Sequence, residues 1–208
     1  VAEDALGQIG FCFEGKYHEL NDSLRPAPTE LETIPDYGNL PIERYGDYGE
    51  VGAYTFLRKD KGAFTVLSTR GCRAKCSFCS VRTFNGMGVR ARPVESVVDE
   101  IARFVDRYGV RHFMWLDDDL LYDAKRAVRL FDEIAKRKLD ITWDASNGII
   151  AAALTHEIVQ AAVASGCVGF HLGLESGDPA ILKAVHKPGT VESYKKAATI
   201  LNQYPQLF

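Results

Sequence analysis

At 208 residues, 46% hydrophobic and 25% charged, the chain has the composition of an ordinary soluble globular protein long enough to bury a core, which excludes a disordered chain. A formal charge of −3 excludes a broadly basic surface of the kind that binds phosphate backbones, so nucleic acid is not an expected partner. No run approaches the roughly 20 apolar residues of a membrane-spanning helix, and the N-terminus lacks a basic-then-apolar secretory pattern. The expectation is a cytoplasmic protein with no membrane span.

Residues 1–60 contain no long periodic segment but do contain Pro26, Pro28, Pro35 and Pro41, with Gly and Asp between short apolar pieces, and read as a linker or docking segment. From Phe64 onward, strand-like runs alternate with amphipathic helical ones. The predicted strands are Phe64–Ser68, His112–Leu116, Ile141–Ala145 and Val168–Leu174, each short and rich in branched or aromatic residues. Between the first two, Val97, Val98, Ile101, Phe104, Val105 and Tyr108 recur at helical spacing until Gly109 supplies a stop. Further helices are expected over Ala124–Lys138, from a Thr155 cap to Gly166, and from a Thr190 cap towards Asn202. Alternation at crossover length predicts parallel strands in an α/β sheet or barrel.

Chemistry in such folds collects where strands end. Past the four predicted strand ends lie Arg70-Gly71-Cys72, Asp117-Asp118-Asp119, Asp144 to Asn147, and Glu175-Ser176-Gly177. All four ends are polar or metal-binding, as expected if the loops share one site.

Five cysteines are too few and too unevenly placed for a disulfide scaffold. Cys12 and Cys167 stand alone and read as small buried hydrophobes. Cys72, Cys76 and Cys79 follow C-x3-C-x2-C spacing, which lets one loop wrap three thiolates round a compact metal cluster and leave one metal position open. Lys75 or Arg73 nearby could favour the thiolate form. A zinc-stabilised module is the competing reading of three clustered cysteines, but no Cys or His follows Cys79 until His112, so zinc needs a distant fourth ligand.

This motif, with Phe78 directly before the last cysteine, resembles the hallmark of the radical S-adenosylmethionine (SAM) enzymes. The order Arg-Gly-Cys, Cys-x-Phe-Cys, Asp-Asp-Asp, Gly-Leu-Glu-Ser-Gly extends the resemblance over roughly residues 65–187. The resemblance implies a [4Fe-4S] cluster on Cys72, Cys76 and Cys79 that cleaves SAM to a 5′-deoxyadenosyl radical, which abstracts hydrogen from a small-molecule substrate. It implies SAM contacts from Phe78, from Asp117 or Asp118 to the ammonium group, and from Glu175, with Ser176, to the ribose hydroxyls. Asn85 to Arg92 could form a loop over the cofactor, and Ser146 and Asn147 could touch SAM or substrate. An electron donor of the flavodoxin or ferredoxin kind is the implied partner.

The fold so implied is α/β, an incomplete (β/α)6 partial barrel with about four strand–helix units over residues 61–208, C-terminally truncated and preceded by an irregular N-terminal segment. The Asp-rich second strand end and the stretch Leu31 to Tyr37 resemble the cobalamin-binding branch of the family, whose members are methylases and ring-forming enzymes. That branch implies a cobalamin domain ahead of residue 1 and cobalamin as a further cofactor. A relative that binds a cluster without turnover is the remaining alternative.

Overall fold

The computed structural model describes residues 11–13, 16–18, 37–42, 44 and 62–208. The chain divides into two compact units, Val1–Thr33 and Ile34–Phe208. In the first, β1 (Phe11–Phe13) pairs antiparallel with β2 (Lys16–His18). Cys12 lies on β1, and its side chain is outside the described features.

The second unit is built on four parallel strands in the order β3 (Gly62–Val66), β6 (Val110–Trp115), β7 (Thr142–Ile149) and β8 (Cys167–Leu172). A short ladder of β4 (Thr69–Arg70) with β5 (Arg90–Ala91) and a one-and-a-half-turn helix α1 (Val81–Asn85) interrupt the first crossover. Helix α2 (Val94–Tyr108) completes it, and α3 (Ala124–Arg137) and α4 (His156–Ala164) make the next two. After β8 come α5 (Pro179–Ala184) and α6 (Val191–Leu201). This is the parallel α/β arrangement that the alternation of elements predicts, and it matches the partial barrel that the resemblance implies.

The helix signals in the sequence act as expected. Gly109 takes the left-handed conformation at the end of α2 and donates its N–H to Phe104 and Val105. The Thr155 side chain accepts from Ile158 N–H, and Thr190 with Ser193 forms a reciprocal capping box that starts α6. Asp123, which the sequence pattern does not single out, caps α3 through Arg126 N–H.

The core between sheet and helices is aromatic. Trp143 of β7 stacks on Phe131 of α3, with centroids 4.9 Å apart, and meets Trp115 and Phe170 edge-on at 6.0 and 5.9 Å. Its indole N–H donates to the Ser165 hydroxyl at 3.0 Å, so the buried polar atom is satisfied. Cys167 is buried, as a small hydrophobe should be. Part of the Pro-rich approach joins this unit: Tyr37 packs on Phe104 at 4.9 Å and Phe64 at 5.6 Å, and Ile42 is 2% exposed. The rest of the Leu31 to Tyr37 stretch lies outside the described residues.

Strand ends differ by a few residues from expectation. The first strand stops at Val66 rather than Ser68 because Ser68 and Thr69 leave the ladder to bind Asp117. The third runs on to Ile149 through a register irregularity after Ala145. The fourth ends at Leu172, two residues before the expected end.

Candidate active site

The three consecutive acids after β6 do one job in three places. Asp117 accepts from the Ser68 N–H at 2.9 Å and from the Ser68 and Thr69 hydroxyls, both at 2.6 Å. Asp118 accepts from the Gly71 N–H at 2.9 Å and from Asn85 Nδ2 at 2.7 Å. Asp119 pairs with Arg73 Nε at 3.0 Å. Each acid therefore anchors a successive piece of the segment leading into the cysteines. Asp117 is 1% exposed and its carboxylate is committed to Ser68 and Thr69, so it does not face the cavity in which a SAM contact would lie. This corrects the expectation for Asp117. Asp118 holds Gly71 and also lines the cavity.

Gly71 sits at φ +90°, and a Cβ there would lie 2.3 Å from the Gly88 carbonyl, so this position admits only glycine. Beyond it Cys72 forms a backbone bridge with Met87, and Ser77 N–H donates to the Val185 carbonyl at 3.0 Å. The cysteine loop is thus tied to the second strand end, to the β5 approach and to the segment after α5.

Cys72, Cys76, Cys79 and Phe78 line one side of a cavity of about 330 Å³, within the usual size for small-molecule sites of about 300–1,000 Å³. Asp118 and Asn147 enter from the ends of β6 and β7, and Glu175 from beyond β8. Asn147 Nδ2 donates to the carbonyls of Leu116 and Asp117, both at 3.1 Å, and so ties two strand ends together. Ser146 instead bonds the buried Asp144. Ser176 accepts from Asp178 N–H at 3.0 Å at the start of α5 and is not among the cavity-lining residues, so its expected cofactor contact is not one the geometry provides.

Glu175 adopts φ +66°, an uncommon conformation for a residue with a side chain, and accepts from Lys187 Nζ at 2.9 Å. Lys187 also lies 5.8 Å from the Phe78 ring centroid. Sequence reasoning passes over Lys187 because nothing near it in sequence marks it. The fold brings it beside the cysteines from about 110 residues away.

Burial pushes the Cys72 thiol up to about 11, with Asp119, Cys76 and Asp118 adding to the rise. Burial also raises Cys76, against the pull of Lys187. The expected thiolate-favouring role of Lys75 or Arg73 is therefore not seen: Arg73 is spent on Asp119, and the cation acting on Cys76 is Lys187. In the loop after α1, Arg92 is buried and bonds the structural carboxylate Glu100 at 2.5 Å, away from the cavity.

The residues present fit a multi-iron cluster better than a single zinc ion. Among the described residues no three His, Cys, Asp or Glu side chains converge on a point that could hold one ion. The three thiols instead share the wall of one cavity, spread along it as the ligands of a multi-atom cluster would be.

The architecture and this site define an α/β-barrel protein with a cysteine-ligated cofactor at its strand ends. The profile of the Radical SAM superfamily matches residues 66–205, and the chain belongs to that superfamily. Members of that family use a [4Fe-4S] cluster and SAM. The chain is 32% identical over 188 residues to the cytidylyl-2-hydroxyethylphosphonate methyltransferase of Streptomyces wedmorensis, covering 83% of this chain and 35% of that protein. It is 30% identical over 198 residues to the bacteriochlorophyllide d C-12(1)-methyltransferase of Chlorobaculum tepidum, covering 92% and 40%. An uncharacterized methyltransferase of Pyrococcus horikoshii is 28% identical over 184 residues, covering 87% and 37%. The chain thus spans about a third to two fifths of these relatives. The fold matches the radical SAM methyltransferase TsrM from Kitasatospora setae with TM-score 0.59 at 22% identity, over 68% of this chain and 28% of that one. It matches the cobalamin-dependent radical SAM enzyme OxsB with TM-score 0.58 at 23% identity, over 67% and 22%. Among the described residues no helix is long and apolar enough to cross a membrane.

Proposed function

We propose that this chain is the core of a radical SAM enzyme that modifies a small-molecule substrate, by cobalamin-dependent methylation or by ring formation. The observation that carries this reading is the sharing of one cavity by Cys72, Cys76, Cys79, Asp118 and Glu175. Cys72, Cys76 and Cys79 would hold a [4Fe-4S] cluster, which when reduced would supply the one electron needed to cleave SAM to methionine and a 5′-deoxyadenosyl radical. The chain's own contribution is placement. Asp118, fixed by Gly71 and Asn85, offers a carboxylate to the SAM ammonium group. Glu175 offers acceptors to the ribose hydroxyls, and Phe78 offers an apolar surface.

The relatives' names support methyl transfer, and both TsrM and OxsB have been solved with cobalamin bound. On this reading cobalamin is held by a domain outside these residues, residues 1–60 connect or dock that domain, and residues 61–208 are the SAM-cleaving core of a larger barrel. The protein works in the cytoplasm, where a reducing milieu preserves the thiols, and takes electrons from a flavodoxin or ferredoxin-like donor.

The test is anaerobic iron and sulfide reconstitution of the parent and of Cys76→Ala, followed by electron paramagnetic resonance with and without SAM. A reduced-cluster signal that changes on adding SAM, and is lost or badly weakened in the variant, supports the reading. Zinc without iron or sulfide in a folded sample removes it.

A further inference from the structure

Beside the cysteines, the charged side chains on the cavity wall are Asp118, Glu175, Lys187 and Arg82, and His171 is a further ionisable one. Asp118 is held by Gly71 and Asn85, while Glu175 and Lys187 hold each other. Arg82 has no such partner: its guanidinium donates to the Met87 thioether at 2.9 Å, a weak acceptor, and among the described residues no carboxylate pairs with it. Met87 is 77% exposed, so this contact keeps the guanidinium at the mouth of the cavity. His171 is exposed as well, with its ring against Gly148, where an added Cβ would meet Cδ2 at 3.8 Å. Among the described residues no hydrogen bond engages that ring.

SAM does not account for these two basic groups. It has a single carboxylate, and the cation on the cysteine side of the cavity is Lys187, which acts on Cys76 and keeps donor hydrogens beyond its bond to Glu175. Arg82 is not among the charges that act on Cys72 or Cys76. The ammonium and ribose of SAM are met by Asp118 and Glu175 on the reading above. Arg82 and His171 are therefore left for a second molecule in the same cavity, and Val81, Ile149, Ile150 and Pro188 give the body of that molecule an apolar wall.

We propose that the substrate carries an oxyanion, a phosphonate, phosphate or carboxylate, on an apolar body, and that Arg82 with His171 receives this group at the mouth of the cavity. The proposal rests on the reading that the cysteine side of the cavity holds a cluster and SAM. A guanidinium presents a planar fork of donors that matches an oxyanion through paired hydrogen bonds. The Met87 thioether yields to such a group because it is a far poorer acceptor. An imidazole ring nitrogen adds a donor beside the guanidinium.

The experiment uses the full-length protein and its Arg82→Gln, Arg82→Lys and His171→Gln variants. Helix α1 has no buried residue, so exchanging Arg82 does not put folding at risk. Binding of phenylphosphonate, and of benzyl alcohol as its uncharged counterpart, is measured on cluster-free protein, on cluster-loaded protein and on cluster-loaded protein saturated with SAM. SAM affinity is measured separately by isothermal titration. The expected result is phenylphosphonate binding that persists with SAM bound and weakens about fivefold or more in Arg82→Gln, with part of the loss recovered in Arg82→Lys and a smaller loss in His171→Gln. Benzyl alcohol binding and SAM affinity stay at the parent level. Equal phenylphosphonate binding by the parent and Arg82→Gln overturns the proposal. Displacement of phenylphosphonate by SAM, or a fall in SAM affinity as large as that for phenylphosphonate, also overturns it and gives the guanidinium to the cofactor. A protein that takes up zinc without iron or sulfide defeats the proposed function instead, and the cluster-free titration still decides the anion site.

Discussion

Asp117 receives both the backbone N–H and the hydroxyl of Ser68, at 2.9 and 2.6 Å, and so fixes the point at which the first parallel strand turns into the cysteine-bearing segment. Asp117→Asn presents an amide to a set of three donors, and one of its two polar atoms then faces a donor. The expected cost is about 1–3 kcal/mol, read by urea unfolding. The pH dependence has a definite sign. Burial raises the Asp117 pKa, against the pull of Ser68, Thr69 and Arg126, so the folded chain takes up this proton more readily than the unfolded one. The contribution is complete below the ordinary carboxylate range and is lost as pH rises through the raised folded value. The parent's advantage over Asp117→Asn is therefore expected to shrink from acid to neutral pH, and an advantage that grows with pH would refute this account.

Gly71→Ala tests the backbone on which the first cysteine depends. The new methyl meets the Gly88 carbonyl at 2.3 Å, and the residue must hold φ +90°. A destabilisation of about 2 kcal/mol or more is expected, with reduced iron uptake on reconstitution because Cys72 is the next residue. Normal melting and full iron loading in this variant would show that the β4–β5 approach yields more easily than the close packing implies.

The sequence made the parallel sheet legible through element alternation, and the site through the polar and cysteine residues just past each strand. Helix ends at Gly109, Thr155 and Thr190 could be read because caps and stops are local chemistry. Long-range relations could not be read. The acids after β6 are equally exposed to view in a sequence, and only the fold shows Asp117 turned inward while Asp118 reaches the cavity. Lys187 was hidden for the same reason. Helices α1 and α5 are too short to show a hydrophobic period, so the sequence pattern does not reveal them.

Lys187 is the cation that joins the fourth strand end to the cysteine loop, through Glu175 on one side and the Phe78 ring on the other. Burial lowers the lysine pKa, but the Glu175 bond and nearby anionic groups outweigh it and leave the pKa raised, so the ammonium form persists at neutral pH. Lys187→Met keeps the apolar stem and removes the charge. Glu175 then loses its partner, and SAM binding by isothermal titration to cluster-loaded protein is expected to weaken about tenfold, with little change in melting temperature because Glu175 is well exposed. Unaltered SAM affinity would leave Lys187 with no part in positioning Glu175.

Beneath the strand ends, His112 bridges Thr142 Oγ1 and Asp144 Oδ2, each at 2.8 Å, with both members of the His–Asp pair fully buried. Asp144 passes the constraint on to the Ser146 N–H at 2.9 Å, one residue before Asn147, which ties the ends of β6 and β7 at the cavity. His112→Phe leaves a buried carboxylate without its ring partner, and a loss of about 3–5 kcal/mol is expected. If the pair acts as a unit, removing the acid as well should restore part of that loss, so His112→Phe/Asp144→Ala should fall short of the sum of the single changes by about 1–3 kcal/mol in denaturant unfolding. Strict additivity would mean that His112 is held by packing and Thr142 alone, and that Asp144 shapes the approach to Asn147 without it.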